Sequence, residues 1–216
     1  MSEFDIDSVL KELSGERKLF HSEADFQFAL AWKIQQKYTD AKVRLEYCMN
    51  LNKQAMHIDM VVFLGEKIIP IELKYKTIRC DEINIDGETY ILKNHGAQDM
   101  GRYDFVKDIK RIETIIDSSK SDCGYAIMLT NDSLYWKDKK TKKSTISDDF
   151  RIHENTTLSG ERKWINNPSE GTIKGRESSI ELANTYEIKW NPYSMNPEEN
   201  ASDFYYTIVN IYQKER

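Results

Sequence analysis

The sequence predicts a single mixed α/β domain, and three observations carry that expectation. Apolar residues recur every three to four positions at 26–34 and 105–116, but form short alternating or continuous runs at 43–49, 58–64, 68–75 and 125–130. The order is therefore helix, three strands, helix, strand. A chain of 216 residues can bury about 70% of its unfolded surface around one core without disulfide or zinc staples. Charged residues make up 31%, yet 12 Tyr, 8 Phe and 4 Trp exclude a disordered chain.

Element by element, residues 5–13 form a short amphipathic helix that Ser14-Gly15 ends. A stronger helix starts after Ser22. Ser22-x-x-Asp25 reads as a capping box, and Phe26, Leu30 and Ile34 make one stripe. Val43–Met49, Ile58–Leu64 and Ile68–Tyr75 read as strands. Gly65-Glu66 joins the last two as a two-residue hairpin turn. Pro70 leans the third strand toward a sheet edge. A second hairpin spans Glu82–Leu92 with Asp86-Gly87 at its tip. A helix follows from about 99 to 117, and Tyr125–Thr130 is a buried central strand. The stretch 137–180 is polar with weak periodicity and reads as a long loop region. Strands at 186–190 and 204–212, separated by the break Asn191-Pro192, close the fold. The pentapeptide Ser-Gly-Glu-Arg-Lys at 14–18 and 159–163 has unmatched surroundings and is no repeat.

The 31 Lys+Arg against 36 Asp+Glu give a net charge of −5, which argues against dense coating by nucleic acid. The distribution is uneven. Residues 137–176 hold ten basic against six acidic residues, densest at Lys139, Lys140, Lys142 and Lys143, and such a run suits a solvated loop or phosphate contacts. No run approaches the roughly 18 apolar residues of a membrane span. An acidic N-terminus and three scattered cysteines (Cys48, Cys80, Cys123), read as buried small hydrophobes, lead to the expectation of a reduced, cytoplasmic protein. Phosphate-binding loops, HExxH and GxSxG are absent from the sequence, which leaves P-loop hydrolysis, zinc proteolysis and serine-esterase chemistry without support.

The chemistry concentrates in His57-Ile-Asp59 and Glu72-Leu73-Lys74. A two-residue turn pairing Leu64 with Lys67 makes opposed residues sum to 131, so Asp59 faces Glu72 and His57 faces Lys74. Two facing carboxylates between apolar strands destabilise a hairpin unless positive charge offsets them. Lys74 supplies one charge. A divalent cation supplies the second, and oxygen-only ligation selects Mg²⁺ or Mn²⁺. A buried Asp–Lys–Glu ion-pair network, or a solvated hairpin face, accounts for the same residues. Glu23, near the start of the stronger helix, lies on its apolar side, where the helix dipole also favours an acid.

A helical Glu, then a strand Asp, then Glu-x-Lys on the paired strand resembles the PD-(D/E)xK nuclease superfamily over residues 20–131. The matching residues are Glu23, Asp59 and Glu72-Leu73-Lys74; Ile58 stands where the family has a proline. The resemblance implies a restriction-endonuclease-like three-layer α/β/α fold with a central mixed sheet. It also implies Mg²⁺ or Mn²⁺ bound by Asp59, Glu72, the Leu73 carbonyl and Glu23. Lys74 then orients or deprotonates the attacking water. The implied function is metal-dependent phosphodiester hydrolysis, with DNA the expected substrate; homodimers are common among such folds. Gln98 and His57 are auxiliary candidates, and Trp136, Trp164 and the lysine run are candidate nucleic-acid contacts. Asp104, Asp108 and Arg111 read as an exposed, salt-bridged helix face. The alternative function is a catalytically inert nucleic-acid-binding or protein-interaction module on the same fold.

Overall fold

The computed structural model describes residues 3–51, 54–118, 120–138, 144–195 and 202–213. The chain opens with α1 (Ile6–Glu16), capped by Asp5, whose carboxylate accepts from the Ser8 amide. It runs through the expected Ser14-Gly15 stop and ends one residue past it. The next helix, α2 (Glu23–Lys37), starts at Ser22, whose hydroxyl accepts from the Asp25 amide at 3.1 Å. Only half of the capping box forms, because the Asp25 carboxylate takes the His21 amide and Arg17 instead. Three strands follow: β1 (Lys42–Leu51), β2 (Gln54–Leu64) and β3 (Lys67–Lys76). After the hairpin β4 (Cys80–Ile85) and β5 (Glu88–Leu92) come α3 (Gln98–Asp117) and β6 (Cys123–Thr130). The remainder is α4 (Ser133–Trp136), β7 (Thr157–Arg162), α5 (Glu170–Ile173), β8 (Ile180–Glu187), β9 (Trp190–Ser194) and β10 (Phe204–Tyr212).

A mixed sheet of order β1-β2-β3-β6-β10-β9 forms the centre, and its one parallel pair is β3 with β6. Helices cover both faces, so the strands bury two separate cores. Met60, Val62, Ile69, Ile71, Leu73 and Tyr75 pack with Leu10, Phe26 and Leu30 of α1 and α2. On the opposite face Ile58, Val61, Ala126 and Met128 pack with Phe105, Ile109 and Ile112 of α3. Among the described residues no helix is long and apolar enough to cross a membrane.

Four expectations are corrected. β3 is central, not an edge strand. Pro70 is tolerated because the register with β6 begins one residue later, at Ile71 opposite Tyr125, and places glycine beside it. A Cβ on Gly124 would lie 2.6 Å from Ile112 Cγ2 and 2.8 Å from the Pro70 carbonyl. Gly124→Ala is accordingly expected to destabilise by about 1–3 kcal/mol, read as a lower urea midpoint. Secondly, the 137–180 stretch is not all loop: β7 pairs with β8 in an antiparallel hairpin. The carboxylate of Glu113, 1% exposed, anchors it to α3 by accepting from the Ala183 and Asn184 amides and the Tyr186 hydroxyl. Asn191-Pro192, thirdly, lies inside edge strand β9, where a missing N–H costs no ladder bond. Finally, Cys48 is exposed; Cys80 alone of the three is buried.

Candidate functional site

A strand covered on both faces is ordinarily apolar throughout, but β3 turns Glu72 and Lys74 toward α3. The β2–β3 pairs sum to 131 as expected from Leu64–Lys67 to Met60–Ile71, and there the ladder stops. Asp59 and Glu72 are therefore not ladder partners, nor are His57 and Lys74. On the other side, β1–β2 pairing joins Leu45 to Met60 and Tyr47 to Ile58, skipping Glu46 and Asp59. Glu46 has φ +49°, a left-handed conformation that costs a non-glycine residue about 1–3 kcal/mol. Asp59 thus occupies a gap in the sheet flanked on both sides.

Side chains fill that gap. The Asp59 carboxylate accepts from the Leu73 amide at 2.7 Å, and Glu23 accepts from the Tyr75 amide at 2.7 Å. These two amides point to the β3 edge from which β2 has separated, so the acids replace strand carbonyls. Gln27, one turn beyond Glu23 on α2, donates to the Asp59 carbonyl and to Glu46 Oε1. From α3, Arg111 Nε donates to Glu72 Oε1 at 2.6 Å and a second guanidinium nitrogen donates to the His57 carbonyl. Lys74 Nζ lies 2.6 Å from Asp108 Oδ2 and donates to the Leu73 carbonyl at 3.0 Å.

Asp108 is only 6% exposed, which corrects the expected exposed face; Asp104 does form such a pair, with Arg176 at 2.7 Å. Gln98 is bound to Asp132 at 2.8 Å, beyond the end of β6. His57 is exposed and contributes its carbonyl. Trp136 is buried on Tyr205, and Trp164 stacks on Tyr103 while donating to the Arg176 carbonyl. Both are packing residues. Lys139, Lys140, Lys142 and Lys143 lie outside the described residues. Sequence reading missed Gln27, Asp108 and Arg111.

Four acids (Glu23, Asp59, Glu72, Asp108) meet two bases (Lys74, Arg111), a formal excess of two negative charges. Burial first, then the charges of Asp108 and Asp59, push the Glu72 carboxyl up to about 9 against the pull of Arg111. A side-chain contribution from Asp59 adds to the rise. Burial raises Asp108 as well, with Lys74 pulling it back. Burial opposes the Lys74 ammonium, but Asp108, Asp59 and Glu23 outweigh it and hold the group well above the usual lysine range. Because the folded protein keeps the Glu72 proton longer than the unfolded chain, this group's stabilisation is present in acid. It is lost as pH rises from the ordinary carboxylate range through about 9. Thermal midpoints in EDTA are expected to fall across that window.

Among the described residues no group of three or more His, Cys, Asp or Glu is arranged to hold a metal ion. The chemistry of the donors nonetheless fits a hard cation: Asp59 and Glu72, next to the Leu73 carbonyl, offer oxygen ligands only. Glu23 accepts from the Tyr75 amide. Comparisons with protein-family models, curated proteins and solved structures found no match.

Proposed function

We propose that this protein is a divalent-metal-dependent nuclease of restriction-endonuclease-like fold, acting on DNA. The observation that carries the reading is the gap at Asp59, where two broken ladders, a strained Glu46 and a Glu72 carboxyl whose pKa is pushed up coincide. Strain and perturbed pKa values of this kind concentrate at functional sites. Asp59, Glu72 and the Leu73 carbonyl would hold Mg²⁺ or Mn²⁺. When bound, such an ion lowers the pKa of water and neutralises charge on phosphoryl oxygens. Lys74, kept charged by its carboxylate neighbours, then acts as a fixed cation for the phosphodiester rather than as a base. Arg111 holds Glu72 in place from α3, and Gln27 fixes the Asp59 backbone.

The two contacts to α3 favour a second reading, an inert nucleic-acid-binding or interaction module, because they already occupy Glu72 and Lys74. Incubating plasmid and oligonucleotide DNA with the protein in Mg²⁺, Mn²⁺ or EDTA separates the two. The nuclease reading expects cleavage in either metal, none in EDTA and none by Asp59→Asn. Metal-independent binding without cleavage would establish the inert module instead.

A further inference from the structure

The open edge of β3 is capped by more than the two acids. The Leu73 amide meets Asp59 and the Tyr75 amide meets Glu23, at 2.7 Å each. The next amide in this alternation, that of Thr77, donates to His95 Nδ1 at 3.1 Å. Amides two residues apart on a strand share an edge at a spacing of roughly 6.6 Å, so His95 stands third in a row after Asp59 and Glu23. Its own amide donates back to the Thr77 carbonyl at 2.7 Å, and the Thr77 hydroxyl donates to the Lys93 carbonyl at 2.6 Å. Residues 93–95 are thereby fixed beside the end of β3.

Those bonds decide what His95 offers. An Nδ1 that accepts an N–H carries no proton, so in the neutral ring the proton sits on Nε2. Burial first, then the charge of Lys76, hold the ring below the ordinary histidine pKa; Glu23 opposes the drop and Lys93 adds to it. The Nε2–H has no partner among the described residues, and the ring is half-buried, within reach of a ligand from solvent. Lys76 continues the strand face that carries Glu72 and Lys74, and Lys93 is exposed. Neither lysine has an ion-pair partner among the described residues. One directed N–H and two unpaired ammonium groups, next to a cluster with surplus negative charge, are complementary to an anion held beside that cluster. We propose that His95, Lys76 and Lys93 bind a phosphate of the nucleic-acid backbone that flanks the bond cleaved at Asp59 and Glu72. That the strand is DNA and is cut there rests on the nuclease reading.

Anisotropy titration of a labelled DNA duplex with the full chain in low-salt EDTA, together with cleavage kinetics in Mg²⁺, tests this through two opposed variants. Asn places its carboxamide oxygen where Nδ1 lies, keeps the Thr77 amide satisfied and removes the Nε2–H. Gln places its amide nitrogen near Nε2 and leaves the Thr77 amide unpaired. His95→Asn is expected to keep the wild-type thermal midpoint while weakening DNA binding roughly tenfold, the loss of one hydrogen bond to a charged group. Its KM should rise with kcat little changed. His95→Gln should reverse the pattern, with a lower midpoint and an affinity near that of wild type. Lys76→Met and Lys93→Met should each lower the slope of log affinity against log salt by about one, and the exposed Lys93 decides the matter if neither His95 variant folds. His95→Asn equal to wild type in affinity and KM would overturn the phosphate contact, reduce His95 to a fastener of residues 93–95 and leave the nuclease reading untouched. Wild type that binds DNA through His95 but cleaves nothing in Mg²⁺ supports the contact and overturns the nuclease reading. No DNA binding by wild type at low salt overturns both.

Discussion

Glu72→Gln is expected to remain folded and to lose metal-dependent DNA cleavage by a factor on the order of 10² to 10³ or more. The amide matches the carboxylate in size, still accepts from Arg111, and cannot ionise. Two effects accompany the loss. The fall in thermal midpoint between the ordinary carboxylate range and about 9 should flatten, because the titrating group is gone. Stabilisation by Mg²⁺, which in wild type must displace the Glu72 proton and so strengthen with pH, should vanish. Wild-type cleavage rates and an undiminished metal shift in Glu72→Gln would exclude Glu72 as a ligand, whatever the protein's activity.

Asp108→Ala carries the largest expected stability cost, about 3–5 kcal/mol, because it strands the Lys74 ammonium in the interior without its partner. The Lys74 side chain is 16% exposed and that of Asp108 only 9%, so water cannot substitute. Pairing Asp108→Ala with Lys74→Met should recover much of the loss, since an apolar side chain needs no counter-charge there. Urea denaturation of both single variants and the double variant measures the coupling. Equal midpoints for wild type and Asp108→Ala would mean that the ion pair is solvent-screened, contrary to its burial. For cleavage the double variant gives the converse result: stability returns and activity does not.

The hairpin register was legible because Gly65-Glu66 sets it locally, and the Met60–Ile71 pairing obeys it. Glu23, Asp59, Glu72 and Lys74 were legible as a set because three local patterns each expose one part of it. The gap at Asp59 was not. It depends on the backbone of Glu46 and the side chain of Gln27, which lie on elements whose proximity no local pattern encodes. Asp108 and Arg111 were misread because Asp104, Asp108 and Arg111 share the spacing of a solvent stripe. The signal that identifies them lies on the other partner: a central strand with two polar residues on one face requires opposite charges on the helix above it. The β7–β8 hairpin had a signal too, in the alternation Ile180, Leu182 and Tyr186, each buried. Surrounding polar residues and the offset near Gly160 diluted it.

The parallel pairing of β3 with β6 also has a kinetic consequence. Glu23 and Tyr75 are 52 residues apart, and Glu72 and Arg111 are 39 apart, so no single hairpin or helix assembles the centre. High-contact-order pairings of this kind incur loop-closure entropy before they are rewarded. A refolding chain therefore regains helical and hairpin signals before α3 docks, and until then Glu72 and Lys74 remain hydrated with ordinary titration behaviour. The perturbed protonation of Glu72 consequently reports the last long-range contacts to form.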